Sequence, residues 1–353
     1  ALSTNRLHLH IGQTGRNLRQ AYEDCVTGLI GEARNPHAPL LFDLEPVPAE
    51  VPHPSVFGAA GAGNNFAKGY MTEGQELVDP CMDLVRRHAE ERDSLPDITL
   101  WHAIGGGTGS GLGCLLAEKL RKEFPKVVLS SYTVLPSPKV TDVVVEPYNA
   151  TLSLEILTKN LDALVVIDNQ QLYDLHHASS RIAPNFRDLN FRVGLATAIL
   201  ELPPANMVAD LVPTPDIPLL APSVLNGDKF ESLCSDRLDV KVFAATGVYS
   251  QSSKAELLAT CPGHLATQIS DVHDAGGVTK GMAALSNDTG VLTPLGRIQS
   301  QFEGMYRRRA FLHWYTGEGM TGDEFPNALE ELKKLQSAYE DFDASPLVKA
   351  AQC

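Results

Sequence analysis

The chain opens with Leu7-His-Leu-His-Ile11, an apolar–polar alternation of period two that predicts a strand. Gly12-Gln-Thr-Gly15 then reads as a tight turn. From Asn17 to Ile30 the apolar residues Leu18, Tyr22, Val26 and Leu29 recur at the spacing of one helix face. Strand, glycine turn and helix in this order open an α/β unit. The alternation continues downstream. Pro39 to Leu44 reads as a short buried strand running into Asp43-Leu-Glu-Pro46, and Glu73 to Ala89 as an amphipathic helix with Leu77, Met82 and Val85 on one side. Asp97 to Ile104 is a strand, Leu112 to Phe124 a helix, Val127 to Leu135 a strand, Asn149 to Asn160 a helix and Ala163 to Ile167 a buried strand. Strands alternating with helices, up to about residue 180, predict a parallel sheet covered on both faces.

Leu189 to Leu202 is apolar almost all round, which predicts a helix buried between two domains. Pro203-Pro204 stops it, because proline cannot continue a helix. From Pro213 to Thr293 the chain is rich in proline and glycine, with short strands such as Lys241 to Val248, and reads as a second, smaller α/β domain. Leu295 to Tyr315 and Asn327 to Phe342 read as closing helices. For 353 residues this is an ordinary division: residues 1–186, a central helix 187–202, an intermediate domain 203–300 and C-terminal helices 301–353.

Charge narrows the partners. With 43 acidic against 29 basic residues the net charge is −14, which argues against a sequence-independent grip on nucleic acid. Six cysteines stand far apart without metal-binding spacing, as expected of free thiols in a reducing compartment. No stretch approaches the ~18 apolar residues of a membrane span. The first residues lack the apolar run of a signal peptide. A cytoplasmic protein without membrane partners is the expectation.

The strongest chemical signal is Gly105-Gly-Gly-Thr-Gly-Ser-Gly111, between a strand and a helix. Five glycines in seven residues let the backbone approach a ligand closely. Inward-pointing amides and the positive end of the following helix make an anion site suited to phosphates. No lysine follows as in the common phosphate loop, and the run is not in the first-strand position of a dinucleotide fingerprint, which counts against an oxidoreductase.

This run resembles the signature of tubulins and their prokaryotic relatives. Four further segments are similar to tubulin in the same order: Gly61-Ala-Gly-Asn-Asn-Phe-Ala-Lys-Gly69, Pro136-Ser-Pro-Lys-Val-Thr-Asp142, Val145-Glu-Pro-Tyr-Asn-Ala-Thr-Leu-Ser153, and Arg307 to Met320, the last closer to the β-type. The resemblance implies a Rossmann-like parallel sheet binding GTP or GDP with Mg2+. It places Gln13, Thr14, Asn64, Gly107, Thr108 and Gly109 on the phosphates, and Asp43 and Glu45 near the cation. It places Asp142 and Glu146 on the ribose hydroxyls, Asn169 and Asn190 on the guanine edge, and Phe186 stacked on the base. His8 and His10 alternate on one strand with nothing of ligand type nearby. His313, Phe302, Met305, Phe311 and Trp314 read as packed core.

The sequence also departs from the family. Ala103 stands where most tubulins carry serine. The helix that supplies an acidic group to the neighbouring subunit is largely missing after Leu202, leaving Asp210 as the weak candidate in trans. The segments before Asp43 and around Val224 to Phe230, opposite halves of the lateral contact, are short, and no acidic C-terminal tail follows. The resemblance implies a GTP-binding cytoskeletal protein that assembles head to tail with itself or another tubulin-like subunit, with hydrolysis completed by that neighbour. A nucleotide-binding structural or capping protein with little hydrolysis is the alternative.

Overall fold

A computed structural model describes residues 6–30, 39–47, 51–141, 143–180, 183–200, 211–212, 214–226, 229–234, 240–247, 269–271 and 282–344. The first half alternates strictly: β1 (Leu7–Ile11), α1 (Gly12–Ile30), β2 (Leu40–Asp43), β3 (Ser55–Phe57), α2 (Glu73–Glu90), β4 (Asp97–Ala103), α3 (Gly113–Glu123), β5 (Val128–Leu135), α4 (Glu146–Asn160), β6 (Ala163–Asp168), α5 (Asn169–Ser180) and α6 (Phe186–Leu200). The second half supplies β7 (Leu219–Asn226), β8 (Lys229–Ser232), β9 (Val240–Gly247), β10 (Ile269–Asp271) and β11 (Met282–Asp288), then α7 (Leu292–Tyr306), α8 (Leu312–Thr316) and α9 (Glu324–Ala344).

One sheet runs through the molecule in the order β10-β9-β11-β7-β6-β5-β4-β1-β2-β3, with β8 paired to β7. From β7 to β3 neighbouring strands are parallel. The pairs β7–β11 and β9–β11 are antiparallel. The strands of the second half therefore extend the first sheet rather than build a separate one.

Alternation sorts side chains into two cores, because successive strand residues point to opposite faces. Ile98, Leu100, Leu164 and Val166 face the layer that includes α2, α3, α4, α7 and α9. Trp101, Tyr132, Val165 and Ile167 face the other side, with Leu18 of α1, Leu172 of α5 and Leu189 and Val193 of α6. Each large apolar side chain buried in this way contributes about 1.5–3 kcal/mol relative to exposure. The C-terminal helices dock through an aromatic knot: Tyr148 meets Phe302, Tyr315 and Phe325 edge-on, with centroids 5.1, 5.7 and 5.2 Å apart.

Several sequence expectations change. The helix expected from Asn17 starts at Gly12, so Gln13 and Thr14 lie in its first turn, not in a separate loop. Gly12 makes this abrupt entry possible with a φ of +71°, a conformation glycine adopts without strain. The continuous helix expected over Leu295 to Tyr315 is broken, because Arg309 and Phe311 have left-handed φ values of +51° and +60° that no right-handed helix accommodates. That break turns Trp314 outward, leaving it 48% exposed rather than in the core. His313 is exposed beside it. The helix α6 is not buried on all sides. Gly194 lets it pack directly on the Ala21 backbone of α1, but Phe191 is 53% exposed. Cys25, Cys81, Cys114 and Cys234 are buried thiols, while Cys261 and Cys353 lie outside the described residues. Among the described residues no helix is long and apolar enough to cross a membrane.

Candidate functional site

All the parallel strands from β1 to β6 deliver their C-terminal ends to one edge, the edge where open α/β sheets bind ligands. Ile104 and the glycine run leave β4 there. The run passes into a π-helical turn, Thr108–Leu112, before α3. Its glycines are needed for two different reasons. A Cβ on Gly109 would overlap the carbonyl of Ala103, and one on Gly111 would come within 2.5 Å of the Gly69 backbone in a second π-helical turn, Lys68–Thr72. A Cβ on Gly107 would meet Ala62 and the Asn65 nitrogen at 2.6 and 2.7 Å. These positions are glycine because backbone packs on backbone. At Gly106 the nearest atom to such a Cβ is Asn64 Oδ1 at 3.6 Å, an ordinary contact distance, so this position has room for a side chain.

The expected phosphate-side residues converge. The ideal Cβ of Gly12 lies 3.4 Å from Gly109 N and 3.5 Å from Thr108 Cβ, so the first turn of α1, with Gln13 exposed and Thr14 half-buried, abuts the glycine run. Asn64 adopts φ +56° in an exposed turn beside Gly106. Glu146 starts α4 with a carboxyl oxygen 2.7 Å from the place a Gly105 Cβ would take. Burial pushes its pKa up to about 8, against a hydrogen bond from Thr141 that holds it down. Near neutral pH the group is a carboxylic acid that both donates and accepts.

Two buried residues that motif reading did not single out hold this arrangement. Asn149 is fully buried and uses its whole hydrogen-bonding capacity. Its Nδ2 donates to Asn64 O at 2.8 Å and Gly105 O at 2.7 Å, and its Oδ1 accepts from Phe66 N at 3.0 Å and the Tyr315 hydroxyl at 2.7 Å. One amide side chain thus ties two site loops to α8. His102, the penultimate residue of β4, sits under the π-helical turn with Nδ1 2.6 Å from Gly109 O and Nε2 3.3 Å from Thr133 Oγ1. Burial lowers its pKa to about 4, opposed by the Gly109 contact. It is therefore a neutral ring donating from Nδ1. The signal for both was a polar residue in an otherwise buried run. Asn65 adds a further tie, Nδ2 to Trp314 O at 2.9 Å. Ser110 closes the turn on itself through Gly106 O and Gly107 O.

The expected base-side residues stand on adjoining elements. Asn169 is the first residue of α5, after the buried Asp168 that ends β6. Phe186 and Asn190 are one turn apart on α6, which packs on both α5 and α1. Phe186 is 58% exposed, a ring face open to contact, and Asn190 is half-buried. Asp142 and Asp210 lie outside the described residues. His8 and His10 are taken up by Trp101: its Nε1 donates to His8 Nδ1 at 3.2 Å, and His10 stacks on it at 5.3 Å.

Asp43, expected near the cation, has a partner within the chain. It is 1% exposed, lies 2.9 Å from Arg16 Nη2, and accepts from Glu45 N at 3.2 Å. Burial raises its pKa in spite of both contacts. Glu45 is exposed, its stem against Gly61, and is open to solvent. Among the described residues no three His, Cys, Asp or Glu side chains cluster as a metal site.

Residues 6–177 match the Tubulin/FtsZ family, GTPase domain. This segment is of the Tubulin/FtsZ type. It runs from the residue before β1 into α5 and takes in the glycine run, both π-helical turns and Asn149. The match carries guanine-nucleotide binding, so this segment is a GTP-binding domain of the cytoskeletal type.

Proposed function

We propose that this protein is a cytoskeletal subunit, β-tubulin-like in its Arg307 to Met320 segment, that binds GTP, assembles head to tail with itself or a related subunit, and hydrolyses GTP only when a neighbour completes the site. One observation carries the shared-site part. Among the described residues bordering the glycine run, the exposed Glu45 apart, no carboxylate or imidazole is free to activate water. His102 has both nitrogens engaged, Asp43 is closed by Arg16, and Glu146 holds its proton near neutral pH. The chain's own contribution is positioning and charge stabilisation, the usual means of phosphoryl transfer.

In this reading the amides of Gly107, Thr108 and Gly109, with Gln13, Thr14 and Asn64, hold the phosphates. Glu146 and Asp142 take the ribose hydroxyls, the protonated Glu146 acting as both donor and acceptor. Asn169 and Asn190 read guanine, with Phe186 against its face. Magnesium, when bound, neutralises phosphate charge. Nucleotide oxygens and water would supply most of its ligands, with Glu45 the one carboxylate here that fits an outer position. Asp210 is the candidate that would reach the next subunit's nucleotide. A cytoplasmic location follows from this role.

The test is to release the bound nucleotide by denaturation, identify it, and follow phosphate release against protein concentration. GTP or GDP is expected, with turnover per molecule rising with concentration. Brisk turnover unaffected by dilution would overturn the shared site, and adenine in place of guanine would overturn the assignment of the base.

A further inference from the structure

The C-terminal helices lie outside the segment that matches the GTPase domain, yet two of them each send one polar side chain to its ligand edge. On one side is Tyr315 of α8, fully buried, whose hydroxyl donates to Asn149 Oδ1 at 2.7 Å. Asn149 in turn holds the carbonyls of Gly105 and Asn64, on the phosphate side. On the other is Arg297 of α7. Its guanidinium spans Asp168 as a fork, Nη1 to Oδ2 at 3.0 Å and Nη2 to Oδ1 at 2.6 Å. The same Nη2 donates to Pro136 O at 3.1 Å. Asp168 immediately precedes Asn169 and orders the start of α5 by accepting from Gln170 N at 3.1 Å. Pro136 follows β5 and begins the segment that leads to Glu146. Ser137, next to it, donates to Gln170 Oε1 at 2.8 Å, which closes the base-side loops on each other.

We propose that the C-terminal helices position the nucleotide site through two separate struts, Tyr315–Asn149 on the phosphate side and Arg297–Asp168 on the base side. This rests on the assignment of those two sides made above. The geometry separates the struts from general support. A planar fork holding a carboxylate and a carbonyl at once fixes the relative placement of two loops, which a point charge cannot do. A saturated amide transmits a change at its far end, since losing the Tyr315 hydroxyl leaves Oδ1 with a single donor and the side chain free to shift. The two struts end at different loops, so their loss has different consequences. Neither Tyr315 nor Arg297 is a catalytic residue; each acts through its partner.

The experiment compares affinities for GTP, ATP and GMP, by competition against a fluorescent GTP analogue, in the full chain and in Tyr315→Phe and Arg297→Lys variants. The GTP:GMP ratio reads the phosphate side and the GTP:ATP ratio the base side. Tyr315→Phe is expected to lower GTP:GMP by on the order of tenfold, the worth of one hydrogen bond, and to leave GTP:ATP within about twofold. Arg297→Lys is expected to do the reverse. Thermal melting checks folding in parallel, and if Arg297→Lys does not fold, the near-isosteric Asp168→Asn replaces it with the same expectation. Equal loss in both ratios, or no change in either, means that the helices support the fold generally, and overturns the struts. An unsubstituted protein that does not prefer GTP over ATP overturns the base-side assignment itself, a result distinct from failure of the struts.

Discussion

Glu146 shows how one residue's surroundings set its chemistry. Near neutral pH its carboxyl is neutral in the folded protein, because burial raises its pKa from 4.5 to about 8. The sign of the consequence follows from linkage. The folded state holds the proton more tightly than the unfolded chain, so this contribution to stability is complete below pH 4.5 and is lost as pH rises through about 8. Glu146→Gln keeps the shape and cannot ionise. In nucleotide-free protein, the glutamine variant should gain on the unsubstituted chain by about 2 kcal/mol between pH 6 and pH 9 after allowance for solvent screening. Denaturant melts at the two pH values measure this, and a constant gap between the proteins would mean that Glu146 ionises normally. The motif located Glu146, but its protonation was not legible, because desolvation depends on what the fold packs over the side chain.

The glycine run combines two kinds of position, and substitution separates them. Gly109 and Gly111 lie where an added methyl runs into the backbone of Ala103 and Gly69. Gly106 has nothing nearer than 3.6 Å to its ideal Cβ and no left-handed φ. Gly109→Ala should destabilise the protein by about 2–4 kcal/mol or prevent folding, as overpacking against rigid backbone does. Gly106→Ala should melt within a few degrees of the unsubstituted protein, since a change of under ~0.5 kcal/mol moves Tm little. Its methyl, however, would stand beside Asn64 on the edge assigned to the phosphates, and GTP affinity should fall. Calorimetry and nucleotide titration on both variants decide this. A Gly106→Ala protein with full affinity would show that phosphates do not approach there. Five glycines together announced a phosphate loop, but only the neighbouring π-helical turn reveals which of them serve packing.

The two segments read as short halves of a lateral contact are residues 31–39, most of which lie outside the described residues, and the stretch after β7. There β7 and β8 form a hairpin with Leu225 opposite Phe230 and Asn226 opposite Lys229, so little chain is left to project sideways. Stable interfaces bury ~1,200–2,000 Å² in total, and a contact built on two short loops is expected to fall below that. A head-to-tail contact is heterologous and propagates as an open strand. Thin filaments, not a closed wall, are therefore expected by electron microscopy with GTP and magnesium. Hollow many-stranded tubes formed by this chain alone would overturn the expectation.

Local spacing along the chain laid down the alternating α/β order, the two-faced burial of β4 to β6 and the place of the glycine run at the strand ends. These follow from period-two and helical spacings and from a glycine run, which are local and carried by neighbouring residues. The tertiary structure decided the rest. It joined β7 to β11 onto the same sheet, broke the expected C-terminal helix ahead of Trp314, and turned that ring outward. It paired Asp43 with Arg16, and brought Tyr315 to Asn149 and Arg297 to Asp168 across separations of 166 and 129 residues. Such contacts are set by how layers stack, and no spacing along the chain encodes which buried polar groups will meet when they do.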